Sequence, residues 1–396
     1  MALQLSDWRE RWAVRLADAG LAAAAPLFAR RPPAAAVGDR PSILLLRMER
    51  IGDLLMTLDA IAAVRAQRPH ASIDLVVGAW NEPLARMIAG VDRVETLSAP
   101  WLARGTASEP GVTLAARAWG WRSRRYDLAI NFEGDIRSNL LIGLSGAARR
   151  VGYPMAGGGP MLSDAVPFDP AIHTRSSSLR LVERAFDLPA GSLEGHRPAP
   201  GARRLIVPAA ARARAAELLS SAVPGAPIVV VHGGGGREIK QWNLDRFADV
   251  AGRLAKTHGA AIVLSGGDED RPAVDTLAAR LNRDVRPVDL CGRVDLVTLA
   301  AVLERTSLVI TGDTGPMHLA AALDVPLVAV FGPSDPRRWG PASDRAHVVR
   351  ADIACSPCNR IRRPPVRCRG HVPDCLAAIT ADQVYEAAAR LLRVPA

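Results

Sequence analysis

The sequence predicts an α/β protein built from two doubly wound parallel-sheet domains. Three observations carry that expectation. The chain has 396 residues, long for one domain and suited to two. Unbroken apolar runs such as Ile43-Leu44-Leu45-Leu46 and Ile228-Val229-Val230-Val231 have the pattern of strands buried on both faces. Such runs alternate with longer amphipathic stretches in both halves of the chain, the pattern of βαβ units.

In the first half, residues 42–47 read as a strand, 48–53 as a turn and 54–67 as a helix. Residues 73–77 are the next strand, 82–89 a helix, 94–97 a short strand, 127–132 a strand and 138–144 a helix. The Gly- and Pro-rich residues 152–170 read as a loop beside a cleft. A helix over 175–188 leads into another proline- and glycine-rich stretch, which places the domain boundary within 189–204. The second alternation has strands at 228–232, 261–264, 288–290, 308–310 and 325–332. Its helices fall at 244–258, 271–281, 296–305, about ten residues from Pro316, and a closing one at 382–392. The division is an extension and linker over 1–40 and Rossmann-like domains over 41–195 and 205–396, facing across a cleft. No internal repeat is visible in the residues.

Apolar residues make up 49% of the chain and mean hydropathy is +0.08, which excludes general disorder. The net charge of +10 points to an anionic partner. Aromatics are only 4%, and there is no arginine-rich tail with interleaved aromatics, which argues against nucleic acid. No apolar stretch has the length of a transmembrane helix. Asp7, Glu10 and Asp18 do not fit a secretory signal, so the expectation is a cytoplasmic protein. Leu5, Trp8, Trp12 and Leu16 fall at helical spacing among arginines. Two readings stay open: a helix lying on the inner membrane surface, or a helix packed on the protein body.

The stretch Thr311-Gly312-Asp313-Thr314-Gly315-Pro316-Met317-His318 joins a predicted buried strand to a predicted helix. Such a junction offers backbone N–H groups and the positive end of a helix dipole to a phosphate. His318 in the first turn can face the same anion; the alternative is an ordinary capped junction. Asp53 ends the first strand's turn and suits a proton acceptor, a helix cap, or both. Gly52 before it permits a close backbone approach. Lys240 and Lys256 are the only lysines, and Lys240 sits between the glycine run Gly233-Gly234-Gly235-Gly236 and Trp242. It reads as a point charge for an anion, against the alternative of a solvated side chain. Asp268 after Gly266-Gly267 suits either ribose hydroxyls or a helix cap.

These motifs, in this order, resemble glycosyltransferase family 9, the bacterial heptosyltransferases. The resemblance covers about residues 42–392. It rests on Ile43-Leu44-Leu45-Leu46-Arg47 with Ile51-Gly52-Asp53-Leu54-Leu55-Met56-Thr57-Leu58, on Lys240-Gln241-Trp242, on Ser265-Gly266-Gly267-Asp268 and on 312–323. It implies a GT-B fold and an inverting, metal-independent transfer from a nucleotide-diphosphate sugar, usually ADP-heptose. The implied acceptor is a lipopolysaccharide core or another anionic cell-envelope glycan. It further implies that Asp53 is the general base, that Lys240 neutralises the departing diphosphate, and that Asp313, Thr314, Gly315 and His318 hold the nucleotide sugar. No cofactor is expected for catalysis. Two other classes stay in view: an epimerase-like enzyme on the same scaffold, and a non-catalytic nucleotide- or glycan-binding module.

Cys355-Ser356-Pro357-Cys358 with Cys368 and Cys375 reads as a candidate structural zinc or iron site, His371 being a substitute ligand. The cluster resembles the four-cysteine iron site of the autotransporter heptosyltransferases. The alternative is a metal-free, arginine-rich loop over 355–375. Cys291 stands apart and reads as core.

Overall fold

Each half of the chain builds its own six-stranded, all-parallel sheet among the described residues, and the strand order is the same in both. The computed structural model describes residues 8–28, 40–102, 108–195, 204–220, 225–281 and 285–393. The chain divides into two units, Met1–Arg204 and Leu205–Ala396.

In the first unit the strands are β1 (Ser42–Arg47), β2 (Ser72–Gly78), β3 (Arg93–Leu97), β4 (Leu128–Asn131), β5 (Arg149–Gly152) and β6 (Asp164–Ala165). Their order is β3-β2-β1-β4-β5-β6. The helices are α1 (Trp8–Phe28), α2 (Ile51–Leu55), α3 (Leu58–Gln67), α4 (Glu82–Ala85), α5 (Gly111–Gly120), α6 (Ile136–Leu144) and α7 (Thr174–Ala185). The central strand β1 is wholly buried after its first residue, as its run of leucines requires.

The second unit has β7 (Ile228–His232), β8 (Ala261–Leu264), β9 (Val288–Asp289), β10 (Leu308–Gly312), β11 (Leu327–Phe331) and β12 (Ala346–Arg350) in the order β12-β11-β10-β7-β8-β9. Its helices are α8 (Ala209–Leu218), α9 (Leu244–His258), α10 (Arg271–Leu281), α11 (Leu296–Leu303), α12 (Gly315–Ala322), α13 (Pro336–Trp339), α14 (Asp374–Ala377) and α15 (Ala381–Arg393). Trp242 and Phe247 anchor the core here, edge to face at 4.8 Å.

Several expectations need correction. The helix expected over 54–67 is two helices, α2 and α3, broken at Met56 and Thr57. Thr57 folds back there, its amide donating to Leu54 O at 3.0 Å and its hydroxyl to Asp53 O at 2.9 Å. Gly52 and Asp53 therefore lie inside the first turn of α2 and not in a preceding turn. Residues 152–170, expected as a loop, contain a turn of 3-10 helix at Gly159–Met161 and strand β6, with Met161 and Leu162 buried. Strands β5 and β12 and helices α5 and α8 were not predicted.

The N-terminal helix α1 is packed on the first unit. Asp18 accepts from the Gly158 amide at 2.6 Å, and a side chain at Gly157 would collide with Val14. The opposite face is open: Trp8, Trp12 and Leu16 are 61%, 58% and 70% exposed. Leu5 lies outside the described residues. No helix among the described residues is long and apolar enough to cross a membrane.

Asp59 on α3 is buried beneath two arginines. Arg175 from α7 donates its Nε to the carboxylate, and Arg204 reaches it at 3.2 Å. Removing one member of such a group leaves buried charge without its counter-ion, at a cost of about 3–5 kcal/mol. Asp59→Ala is therefore expected to lower the unfolding free energy of the first unit by about that amount. Denaturant titration checks this, and a loss below ~1 kcal/mol would mean that the arginines find other partners without penalty.

Candidate functional site

In the second unit the predicted residues meet where β7 and β10 run side by side. This is the point at which strand order reverses, so the connections after these two strands leave in opposite directions and the carboxyl edge between them stays open. After β7 come the glycine run and a turn of 3-10 helix, Glu238–Lys240. Trp242 fixes this loop two residues later, its indole buried and donating to Ile379 O at 3.2 Å. After β10 come Asp313 and Thr314, the latter the N-cap of α12. Lys240 Nζ stands 2.7 Å from Asp313 Oδ2, with the side chains 23% and 10% exposed.

The close fit around this pair depends on glycine. A Cβ on Gly235 would press on Thr314 Cγ2 at 3.3 Å, whereas one on Gly312 would meet the Lys240 carbonyl in ordinary contact at 3.4 Å. Thr314 makes no side-chain cap; its hydroxyl lies 3.0 Å from that of Thr311. Helix α12 begins at Gly315, with proline second, so the Gly315 and Met317 amides are among the first-turn donors without an intrahelical acceptor. His318 follows in the second turn and is buried. Lys240 and Asp313 are thus brought together by β7 and β10, with Thr314 and Gly315 next in the chain and His318 following on α12.

Asp268 is not part of this group. It follows β8, one strand further out, is exposed, and lies over Gly292. The acid that shapes the site from that side is Asp270, which sequence reasoning passed over. Its carboxylate accepts from Gly235 N at 3.2 Å and Gly267 N at 3.0 Å, tying the loops after β7 and β8 together. Gly234 has to lack a side chain, because a Cβ would sit 2.1 Å from Asp270 Oδ1. Three successive acids after Gly267 gave no way to choose among them. Nearby, His232 donates Nδ1–H to Ser265 O at 3.1 Å, and burial holds its imidazole below the usual range.

The first unit has the equivalent reversal between β1 and β4. Asp53 lies there, a quarter exposed, and its carboxylate accepts from Arg50 N at 3.3 Å, so it does cap α2. Arg47, the last residue of β1, is buried, with NH2 3.6 Å from Asp53 and NH1 3.0 Å from Glu49. Its NH1 also donates to Phe132 O, while its Nε is buried without a hydrogen-bond partner. Gly52 does not line a turn: it is helical, its carbonyl taking the Met56 amide at 2.9 Å.

Glu133, after β4, was also missed. It is buried and accepts from Met48 N. Burial pushes its carboxyl up to about 8; Glu49 and Asp135 add to the rise, and Arg47 and the Met48 amide oppose it. Its turn is set by Asn131, whose Oδ1 accepts from Glu133 N at 3.1 Å, and by Gly134 at φ 105°. The sequence signal was Asn131-Phe132-Glu133-Gly134: an acid held between a strand's last amide and a glycine.

The metal expectation is corrected. Among the described residues no three Cys, His, Asp or Glu side chains are arranged to hold a metal ion, and all four loop cysteines are free thiols. Cys375 is drawn down into the core with Leu376 and Ile379, while Cys355, Cys358 and Cys368 stay half-buried. Burial, then the charge of those three neighbours, pushes the Cys375 thiol up to about 11. Both ring nitrogens of His371 are engaged by carbonyls, Val372 at 2.9 Å and Arg367 at 2.7 Å. The described residues thus give a zinc or iron centre no support. Cys291 is buried core, as expected.

Two doubly wound units of this order are the two halves of a GT-B type fold. The chain belongs to glycosyltransferase family 9 (heptosyltransferase), whose family description matches residues 119–365. Lipopolysaccharide heptosyltransferase 2 of Salmonella typhimurium is 27% identical over 322 residues, covering 78% of this chain and 87% of that protein. Among solved structures, the E. coli ADP-heptose lps heptosyltransferase II superposes with a TM-score of 0.70 at 22% identity, over 89% of this chain and 98% of that one. A family 9 glycosyltransferase from Veillonella parvula gives 0.74 at 22% identity, over 90% and 99%. These likenesses establish the fold.

The thiol environments make a prediction. In the native protein Cys355, Cys358 and Cys368 should react with a thiol reagent near neutral pH, while Cys375 and Cys291, both raised by burial, should react only on unfolding. Thiol counting before and after denaturant checks this. Protection of all four loop thiols, with release of stoichiometric metal on unfolding, would restore the metal site.

Proposed function

We propose that this chain transfers a heptose from a nucleotide-diphosphate donor, ADP-heptose, to a lipopolysaccharide core acceptor. The observation that carries this reading is the Lys240–Asp313 pair beside the N-terminus of α12 in a family 9 chain. An ammonium and helix-terminal amides suit a diphosphate leaving group, whose charge grows as the glycosidic bond breaks. Asp313 cannot bind phosphate itself. It holds Lys240 in place and can accept from sugar hydroxyls, with Thr314, Gly315 and His318 completing the donor side.

On the acceptor side Asp53 is the general base. Its quarter exposure leaves it reachable, and Arg47 orients the carboxylate. Direct attack of the deprotonated hydroxyl on the anomeric carbon inverts that centre, and charge neutralisation by Lys240 and α12 needs no metal. Asp268, on the exposed 3-10 turn after β8, fits ribose recognition less well than Asp313.

Asp53→Asn is expected to lower kcat by about a hundredfold or more with little change in ADP affinity. Lys240→Ala is expected to weaken ADP binding about tenfold or more, read by calorimetry. Full turnover in the first variant would leave Asp53 as a cap, and unchanged ADP affinity in the second would move the donor site elsewhere.

The α1 helix supports contact with an anionic membrane surface. Arg9, Arg11 and Arg15 flank the open face of Trp8, Trp12 and Leu16, with Arg15 stacked 5.9 Å over Trp12. Each arginine near anionic lipid contributes about 1 kcal/mol. The protein should sediment with phosphatidylglycerol vesicles at low salt and release at high salt. Trp8→Ala with Trp12→Ala should weaken this while the fold stays intact, and undiminished sedimentation would refute the role of α1.

A further inference from the structure

Arg47 stands among more carboxyl groups than it can neutralise. Glu49 at 3.0 Å and Asp53 at 3.6 Å face it from its own strand end and the turn beyond. From β4 come the Phe132 carbonyl, which takes its NH1, and the buried carboxyl of Glu133. Asp135, paired with Arg137 at 2.7 Å, adds a further negative charge from the N-cap of α6. One guanidinium therefore pairs with two carboxyl groups, while those of Glu133 and Asp135 act on the cluster from further off.

We propose that Glu133 is a positioning residue which acts as a neutral carboxyl, bracing the strand-end turn at Met48 so that Arg47 is left to orient Asp53. The inference rests on the reading of Asp53 as the base. Geometry supplies the reason. Glu133 accepts from the Met48 amide, one residue beyond Arg47, and is itself fixed by Asn131 and Gly134. It is more enclosed than Glu49 or Asp53, so it bears the largest desolvation cost on ionising. Burial keeps its carboxyl protonated up to a pH of about 8. When it ionises, a further full charge enters the cluster and competes with Asp53 for Arg47. Transfer should then decline as pH rises through that value.

The sign of the stability effect follows from the same shift. A carboxyl whose folded value is raised disfavours the folded state as pH climbs from its ordinary value to the raised one. Glu133→Gln keeps the shape and cannot ionise. It should gain melting temperature over the wild type, by a margin that widens from about pH 5 to about pH 8 and then levels.

The experiment combines activity with a readout independent of it. Glu133→Ala should lower kcat about tenfold or more, and Glu133→Gln should restore it to within about threefold of wild type at pH 7 while losing the alkaline decline. Carbon-13 NMR of glutamate-labelled wild-type protein should show one carboxyl titrating near pH 8. Loss of turnover in Glu133→Gln equal to that in Glu133→Ala, or persistence of the alkaline decline, overturns the inference. So does the absence of any glutamate titrating above about pH 7, whatever the variants do. Failure of the base assignment is separate, because it appears as full turnover in Asp53→Asn with the Glu133 titration intact.

Discussion

A parallel sheet delivers every strand's carboxyl end to one edge, and covers most of that edge with the loops that start the crossover helices. The exception is where strand order reverses. In both units the chain moves outward one way from the first strand and returns to build the other way from the fourth, so β1 and β4, and β7 and β10, part company at their ends. The groups with chemistry collect at those two gaps. Arg47 ends β1 and Asp53 follows it, Glu133 follows β4, Lys240 follows β7, and Asp313 to His318 follow β10. Asp268 follows β8 instead, which is why it stands apart from the group the sequence placed it in.

The two gaps carry different electrostatics. The second unit sets one ammonium against one carboxylate next to the positive end of α12, so the local field is neutral to positive. A lysine suits that place because it is a compact charge that can be shared between Asp313 and an arriving phosphate. The first unit sets one buried arginine against the carboxylates of Glu49 and Asp53. Arginine suits this second place, because its fork meets Phe132 O, Glu49 and Asp53 at once.

What could be read from the sequence follows the same physics. Buried strands such as β1, β7 and β10 announce themselves by unbroken apolar runs, and their order along the chain was enough for the fold class. Strands β5 and β12 could not be read, because arginines and a histidine interrupt them; Arg150 is buried only because it donates to Met161 O and Ala147 O. Lys240 stood out through the scarcity of lysine. Asp270 and Glu133 did not, because each acts by holding a glycine-bearing loop through backbone amides, and that partnership exists only after the strands have paired. The four thiols misled for the converse reason. Proximity in sequence does not make a ligand set when one member, Cys375, is recruited by the core.

The N-terminal helix joins these themes. Had α1 been only a strut, burial of its tryptophans would have been its largest available gain. Instead it packs by Val14 and Asp18 and leaves Trp8 and Trp12 outward. The segment it packs on, Gly157 and Gly158, is the one that supports the turn carrying Glu133. Gly157 O accepts from Asn139 at 2.8 Å, Asn139 accepts from Asn131 at 2.7 Å, and Asn131 accepts from Glu133 N. Contiguity of this kind is not evidence of a signal passing along it. It does fix distance: a helix seated through a buried amide network holds its open face at a set height from Arg47 and Asp53.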